Sequence, residues 1–431
     1  MKSFVPALLL ALFALLAPDA ARAQRLPALP ADTGLQVALV TMGQGDQVWE
    51  RFGHNALWIY DPATGEDAVY NYGVFDFNSP GYWSRFMKGD WLYMLGIDGM
   101  RRTLYVYQYF NRTVEAQWLN LTPAQKLELK SFLETNARPE NRDYLYDYFR
   151  DNCSTRIRDA LDRVLGGRLK AATAGQPTGT TYRWHSDRLV AEDPVVQFGL
   201  AGGLGPRADR PIDEWEEMFL PFKVRDQVRE IRVPGVDGRP VPLVAREEVL
   251  FQAAGRAPEA AKPPARLPWY VLIGATLAAA LAFLGIRTMH SGAARFLFSA
   301  LSAFWLLFSG TGGVILLALW TMTNHRIAYA NENLFQLSPL ALPLVLLLPS
   351  LAYGARWAAK PAKALAAAVA LSSLLGFVLQ VLPGLDQVNG QIIALALPVN
   401  LALAWVARRM AAWAPERAKA AAVPARAPVA A

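Results

Sequence analysis

Between Arg266 and Arg287 the chain carries no charged residue, and Leu267 to Ile286 as a helix, at about 1.5 Å per residue, covers the roughly 30 Å of a bilayer's hydrocarbon. A run of this kind is a membrane span before it is anything else. Similar stretches follow at 296–320, 337–355, 364–383 and 388–407, giving five expected spans in an all-α membrane domain over 267–409. With 53% hydrophobic and only 18% charged residues, the chain is neither a disordered scaffold nor an ordinary soluble one.

The N-terminus, MKSFVPALLLALFALLAPDAARA, joins Lys2 to an apolar run from Phe4 to Leu16 and an Ala21-Arg22-Ala23 cleavage site, the pattern of a secretory signal peptide over residues 1–23. No cysteine follows that site, so lipid anchoring of the chain itself is not expected. Export of the next segment makes the connections between spans alternate. Arg287, Arg295, Arg356, Lys360, Lys363, Arg408 and Arg409 then fall on the inner side, and Arg326 alone in the short outer connections, in keeping with the positive-inside bias. Residues 251–266, rich in Ala and Pro, read as an extended linker, and residues 410–431 as a disordered basic tail on the cytoplasmic side.

The exported domain spans residues 24–250. Residues 24–266 hold 30 Lys+Arg against 32 Asp+Glu, so there is no basic patch for nucleic acid, and the net charge of +7 reflects membrane topology. Strand composition marks LQVALVTM (35–42), HNALWIYD (54–61) and AVYNYGVFDF (68–77), the last two as a hairpin across PATGED. RTLYVYQYF (102–110) and TVEAQWLNL (113–121) read as a further strand pair. Thr122-Pro123 opens a helix, REIRVPGVDGRPVPLVAREE reads as a hairpin, and DNCSTRIRDALDRVLGG reads as a helix capped by Asp151 or Asn152 and ended by Gly166-Gly167.

That last helix carries the only cysteine, Cys153, in its first turn. Unpaired N–H groups and the positive end of the helix dipole favour a thiolate there, and the same N–H groups could hold an oxyanion. The base is His54, directly after Gly53 at a strand start. The residue that orients it is Asn71, with Tyr72 and Asp76 open as alternatives because a one-residue slip exchanges the faces of a strand. Arg156 and Asp159, three residues apart, read as a pair behind the cysteine. The histidines, His54, His185, His290 and His325, are widely spaced, and neither a metal site nor a cofactor is expected. His185 reads as structural.

The order GHNALWIYD, YNYGVFDF, YDYFRDNCSTRIRDAL resembles the Lnb-type lipoprotein N-acyltransferases and, more broadly, the circularly permuted papain-like fold of the lecithin:retinol acyltransferase relatives, in which the histidine strand precedes the cysteine helix. ADRPIDEWEEMFLP and NHRIAYANENLF look like the same family. The resemblance implies an α+β, permuted papain-like domain followed by helices in the bacterial inner membrane, with the catalytic domain on the periplasmic side. It implies Cys153 as nucleophile and His54 as base, with Asn71 matched by location. The chemistry implied is attack on an ester of a phospholipid or diacylglyceryl-lipoprotein, then resolution of the thioester by the α-amine of the lipoprotein's N-terminal cysteine. A tethered papain-like hydrolase of the cell wall and a non-catalytic membrane scaffold are the competing readings.

The outer connection TNHRIAYANENLF (323–335) is polar, lies between spans and faces the same side as Cys153 in this topology. His325, Arg326 and Asn331 are its candidate substrate-binding residues, Arg326 for phosphate and His325 or Asn331 for the glyceryl ester region.

Overall fold

The computed structural model describes residues 34–235, 238–385 and 387–421. The signal peptide and residues 422–431 of the tail lie outside the described residues. Seven antiparallel strands form the main sheet: β1 Gln36–Met42, β2 His54–Asp61, β3 Glu66–Val74, β4 Leu92–Asp98, β5 Val114–Leu119, β6 Asp143–Leu145 and β7 Val244–Phe251. Their spatial order is β7-β5-β1-β2-β3-β4-β6. β1 is an interior strand, third from the β7 edge, and is covered on both faces, which is why LQVALVTM is nearly all apolar rather than alternating.

On one face Val37 and Leu39 meet Leu57, Tyr70 and the helices α3 (Pro123–Asn136) and α4 (Cys153–Val164). Ile157, Ala160, Leu161 and Val164 make one buried stripe on α4, which packs against β2 and β3. Each fully buried large side chain there contributes about 1.5–3 kcal/mol. On the other face Ala38, Val40 and Met42 meet Trp58, Trp118 and the helix α2 (Met100–Tyr109).

That helix corrects one expectation. RTLYVYQYF is helical, and β5 pairs with β1 and β7 instead. Its buried Met100, Thr103 and Leu104 are spaced for a helix face, and Asp67 on β3 accepts the Met100 N–H at 3.1 Å, a cap supplied from a distant residue. Two short antiparallel strands, Arg232–Pro234 and Pro240–Pro242, do pair as a hairpin would; residues 236–237 of the expected turn lie outside the described residues.

The linker also differs from the extended tether expected. Arg256 pairs with Asp46 at 2.9 Å and donates to the Asn111 carbonyl, Glu259 pairs with Arg188 at 2.8 Å, and Arg266 donates to the Ala191 carbonyl. The segment is thus laid along the domain.

Among the described residues four helices are long and apolar enough to cross a membrane: α6 Leu267–Arg287, α7 Gly292–Thr321, α9 Arg356–Leu379 and α10, which begins at Gly390. The third expected span, 337–355, is not one helix, whereas the last, 388–407, falls within α10. Short turns at Glu332–Phe335 and Pro339–Ala341 meet α8 (Leu344–Ala352) at a 56° bend, because Pro339 and Pro343 lack the N–H groups a continuous ladder needs. α10 continues to Ala421, so helix replaces the expected disorder past Arg409. Buried polar groups join these helices: Asn400 accepts from Trp305 at 3.2 Å and donates to the Gln336 carbonyl at 3.1 Å.

Two connections of the helical region bind the sheet domain beyond the helix α5 (Pro194–Gly203). Gly205 donates to the Ile327 carbonyl at 2.9 Å, Gln387 to the Leu204 carbonyl at 3.1 Å, and the Val388 N–H to Asp209 at 3.2 Å.

Candidate active site

Asn152 is the residue that places the cysteine. Its backbone is extended, and its side-chain oxygen accepts the N–H groups of Ser154 and Thr155, both at 2.9 Å. The Asn152 N–H in turn donates to the Thr155 hydroxyl oxygen at 2.8 Å, closing a reciprocal cap. The amide nitrogen of Asn152 donates to the Tyr148 and Phe219 carbonyls, so this 4%-exposed side chain has every group satisfied. Cys153 is therefore the first helical residue of α4, at the positive end of the dipole.

The same cap revises the expected oxyanion site, since Asn152 already occupies the Ser154 and Thr155 N–H groups. A donor that sequence reasoning missed lies nearby. Tyr144 on β6 is buried, and its hydroxyl has no hydrogen-bond partner among the described residues. Burial pushes its phenol well above the ordinary value, and a charge on Cys153 adds to this, so it remains a proton donor.

Gly73 shows how close these groups are. A Cβ built on it would lie 3.6 Å from the Cys153 Cβ, 4.0 Å from His54 Cε1 and 4.0 Å from the Tyr144 hydroxyl. With φ at +93°, in a register shift of β3 against β4, this position favours glycine and leaves a gap between thiol, imidazole and phenol.

His54 and Cys153 are both half-buried. Burial pushes the thiol up, but the charge and hydrogen bonding of His54, with help from the Asn55 N–H and the Ser154 hydroxyl, outweigh it and hold Cys153 below its ordinary value. A thiol poised as thiolate beside an imidazole can attack a carbonyl carbon.

The third position is now narrower. Tyr72 is buried on the α4 face against Tyr144, ring centroids 6.1 Å apart, and Asp76 is exposed and accepts from the Asn78 N–H at 2.8 Å in the turn after β3. Asn71 lies on the face opposite Tyr70 and Tyr72 and donates to the Val69 carbonyl at 3.2 Å. Among the described residues no hydrogen bond joins it to His54. The expected Arg156–Asp159 pair does not form: Arg156 holds Asp151 through two bonds of 2.6 and 2.8 Å and lies 3.6 Å from the Tyr144 ring centroid, while Asp159 pairs with Arg158. His185 is buried and bonded to Glu217 at 2.8 Å, a structural placement.

The candidates of the outer connection divide. Asn331 is 2% exposed and donates to the Gly202 and Gly203 carbonyls at 2.9 and 3.1 Å, so it fastens α5 and has no free donor for a substrate. His325 is half-buried against Trp91, ring centroids 5.8 Å apart, and bonds the Phe86 and Met87 backbone. Arg326 is exposed and makes no ion pair among the described residues.

No curated protein and no solved structure matches the chain. One family model does, that of the Lnb N-terminal periplasmic domain, over residues 31–187. The match takes in β1 through α4 and with them His54, Asn71, Gly73, Tyr144 and Cys153. Residues 31–187 of this chain, the part that builds the site, are thus similar to the N-terminal periplasmic domain of the Lnb-type family.

Proposed function

We propose that the protein is a membrane-bound cysteine acyltransferase that moves an acyl chain from a lipid ester to the N-terminal amine of bacterial lipoproteins. The observation that carries this reading is the lowered Cys153 thiol beside His54, on a domain fastened to helices of membrane length.

In the first half-reaction the Cys153 sulfur attacks the ester carbonyl carbon of a phospholipid or of a diacylglyceryl-lipoprotein. The new S–C bond forms, the C–O bond breaks, and the His54 imidazolium gives its proton to the departing alkoxide. The oxyanion of the intermediate takes the Tyr144 hydroxyl as donor, a role suited to a buried phenol without a partner. In the second half-reaction the lipoprotein's α-amine attacks the thioester carbonyl, His54 takes the amine proton, and the thiolate leaves. Arg326, exposed near the ends of the membrane helices, takes a lipid phosphate. Inner-membrane location, with the cysteine domain on the periplasmic side, follows from this reading.

Mass spectrometry of lipoprotein N-termini, in cells whose only such enzyme is this protein, tests the proposal. N-acylation present with the wild-type protein and lost with Cys153→Ser or His54→Ala is expected. Altered cell-wall peptides with unchanged lipoproteins would establish a hydrolase instead, and no change in either would leave a scaffold.

A further inference from the structure

The short helix α1 (Tyr82–Lys88) is unusual for a domain in water: it carries Tyr82, Trp83, Phe86 and Met87 and buries none of its residues. Trp83 is 62% and Met87 65% exposed. Its charged residues are Arg85 and Lys88, and it contains no acid.

The position of this helix gives its apolar face a reason. Gly89, which ends α1 with φ at +76°, fits so closely against the connection after α7 that a Cβ would lie 2.9 Å from the Asn324 carbonyl carbon and 2.9 Å from the His325 nitrogen. The Asn324 N–H donates to the Lys88 carbonyl at 2.7 Å, and its side chain to Asp90 at 2.6 Å. α7 ends at Thr321, so α1 is held within a few residues of the end of a membrane-length helix. Aromatic rings with a polar or basic margin belong at that level of a bilayer.

From α1 a continuous series of rings leads inward. Trp83 meets Phe77 at 6.2 Å between centroids, Phe77 meets Phe75 at 4.9 Å, and Phe75 meets Tyr93 at 5.1 Å. Tyr93 then meets Tyr146 at 4.3 Å, and Tyr146 meets Tyr144 at 6.5 Å, beside the thiol. We infer that this track from Trp83 to Tyr144 is a lipid-binding site, which takes one fatty-acyl chain of a membrane lipid from the bilayer edge and lays its ester carbonyl beside Cys153. The inference rests on the acyl-transfer reading for the chain's destination. The occupant itself follows from an exposed aromatic face joined to a membrane-length helix and to the thiol.

The test uses the full chain in lipid nanodiscs whose phospholipid bears a diazirine in the acyl chain, with cross-linked peptides located by mass spectrometry. Label within 75–93 is expected. The double variant Phe77→Ser, Trp83→Ser should lower that label, and transfer from the embedded donor, about tenfold, a barrier change of one decade in rate. Alkylation of its Cys153 by a small soluble reagent should stay at the wild-type rate, which also reports an intact site. Label confined to the membrane helices, or a double variant that labels like wild type, overturns the track. Label on the track without any transfer by wild type leaves the track standing and removes the acyl-transfer reading, whereas transfer without label on the track does the reverse.

Discussion

A thiol held low by its neighbours has a pH signature. Because His54 and the Asn55 N–H lower Cys153, its alkylation by iodoacetamide should remain fast below the ordinary thiol range of about 8.5 and fall only as the thiolate is protonated. In His54→Ala burial is opposed only by the Asn55 N–H and the Ser154 hydroxyl, so the rate profile should move to higher pH; an unmoved profile would separate the two residues. Tyr144→Phe removes a hydroxyl that nothing else in the described structure binds, so stability should change little. Loss of one oxyanion donor predicts a kcat lower by about 10²-fold with KM nearly constant. Gly73→Ala should be worse than its size suggests, since the methyl enters the gap between thiol and imidazole and the backbone stays at a positive φ, a strain of about 1–2 kcal/mol.

The docking of α1 on the outer connection depends on a neutral histidine. Burial lowers His325 and outweighs its bonds to the Phe86 and Met87 backbone and the charge of Asp90, which all act in the opposite direction, so the folded form binds its proton less readily than the free side chain. The contact is therefore at full strength above the ordinary histidine value of about 6.5 and weakens as pH falls below it. The protection of residues 86–91 against hydrogen exchange, relative to the intrinsic rate at each pH, should fall between pH 7 and 5, and His325→Ala should remove that dependence. Elements differ in how far their sequences declare them. The cysteine helix was legible because its cap and its i, i+3, i+4, i+7 stripe are local, and so was the His54 strand. α2 was not: its aromatic and β-branched residues have strand composition, and its cap comes from Asp67, 33 residues away. The pairing of His54 with Cys153 could be expected from residue types but not from spacing, because β2 and α4 meet only through the sheet. Tyr144 was invisible for a different reason, since an unpartnered hydroxyl is a property of packing. The break in the third expected span was visible in Pro339 and Pro343, whose effect an apolar-run count passes over.

At the scale of the whole chain, the contacts of Ile327, Gln387 and Val388 with residues 204–209 put both outer connections against the sheet domain. In a Cys153→Ser background, Leu145→Cys and Met322→Cys, both at exposed positions, should react with an impermeant maleimide in intact cells stripped of their outer membrane. His290→Cys, also exposed, should react only after permeabilisation. Reaction of positions 322 and 290 from the same side would break the alternation of spans. The fastened linker and the two bound connections have a mechanical outcome as well. A domain bound through its linker and through two connections is held to the membrane-length helices, so the thiol is expected to work at one height above the bilayer centre. Selection is then by depth: an ester bond is a substrate when the membrane carries it at the thiol's height. Reconstitution in bilayers of increasing acyl length raises the glycerol level while the protein stays the same height, so turnover should pass through an optimum thickness and fall on either side. A flat response would mean that the domain floats on its mounting.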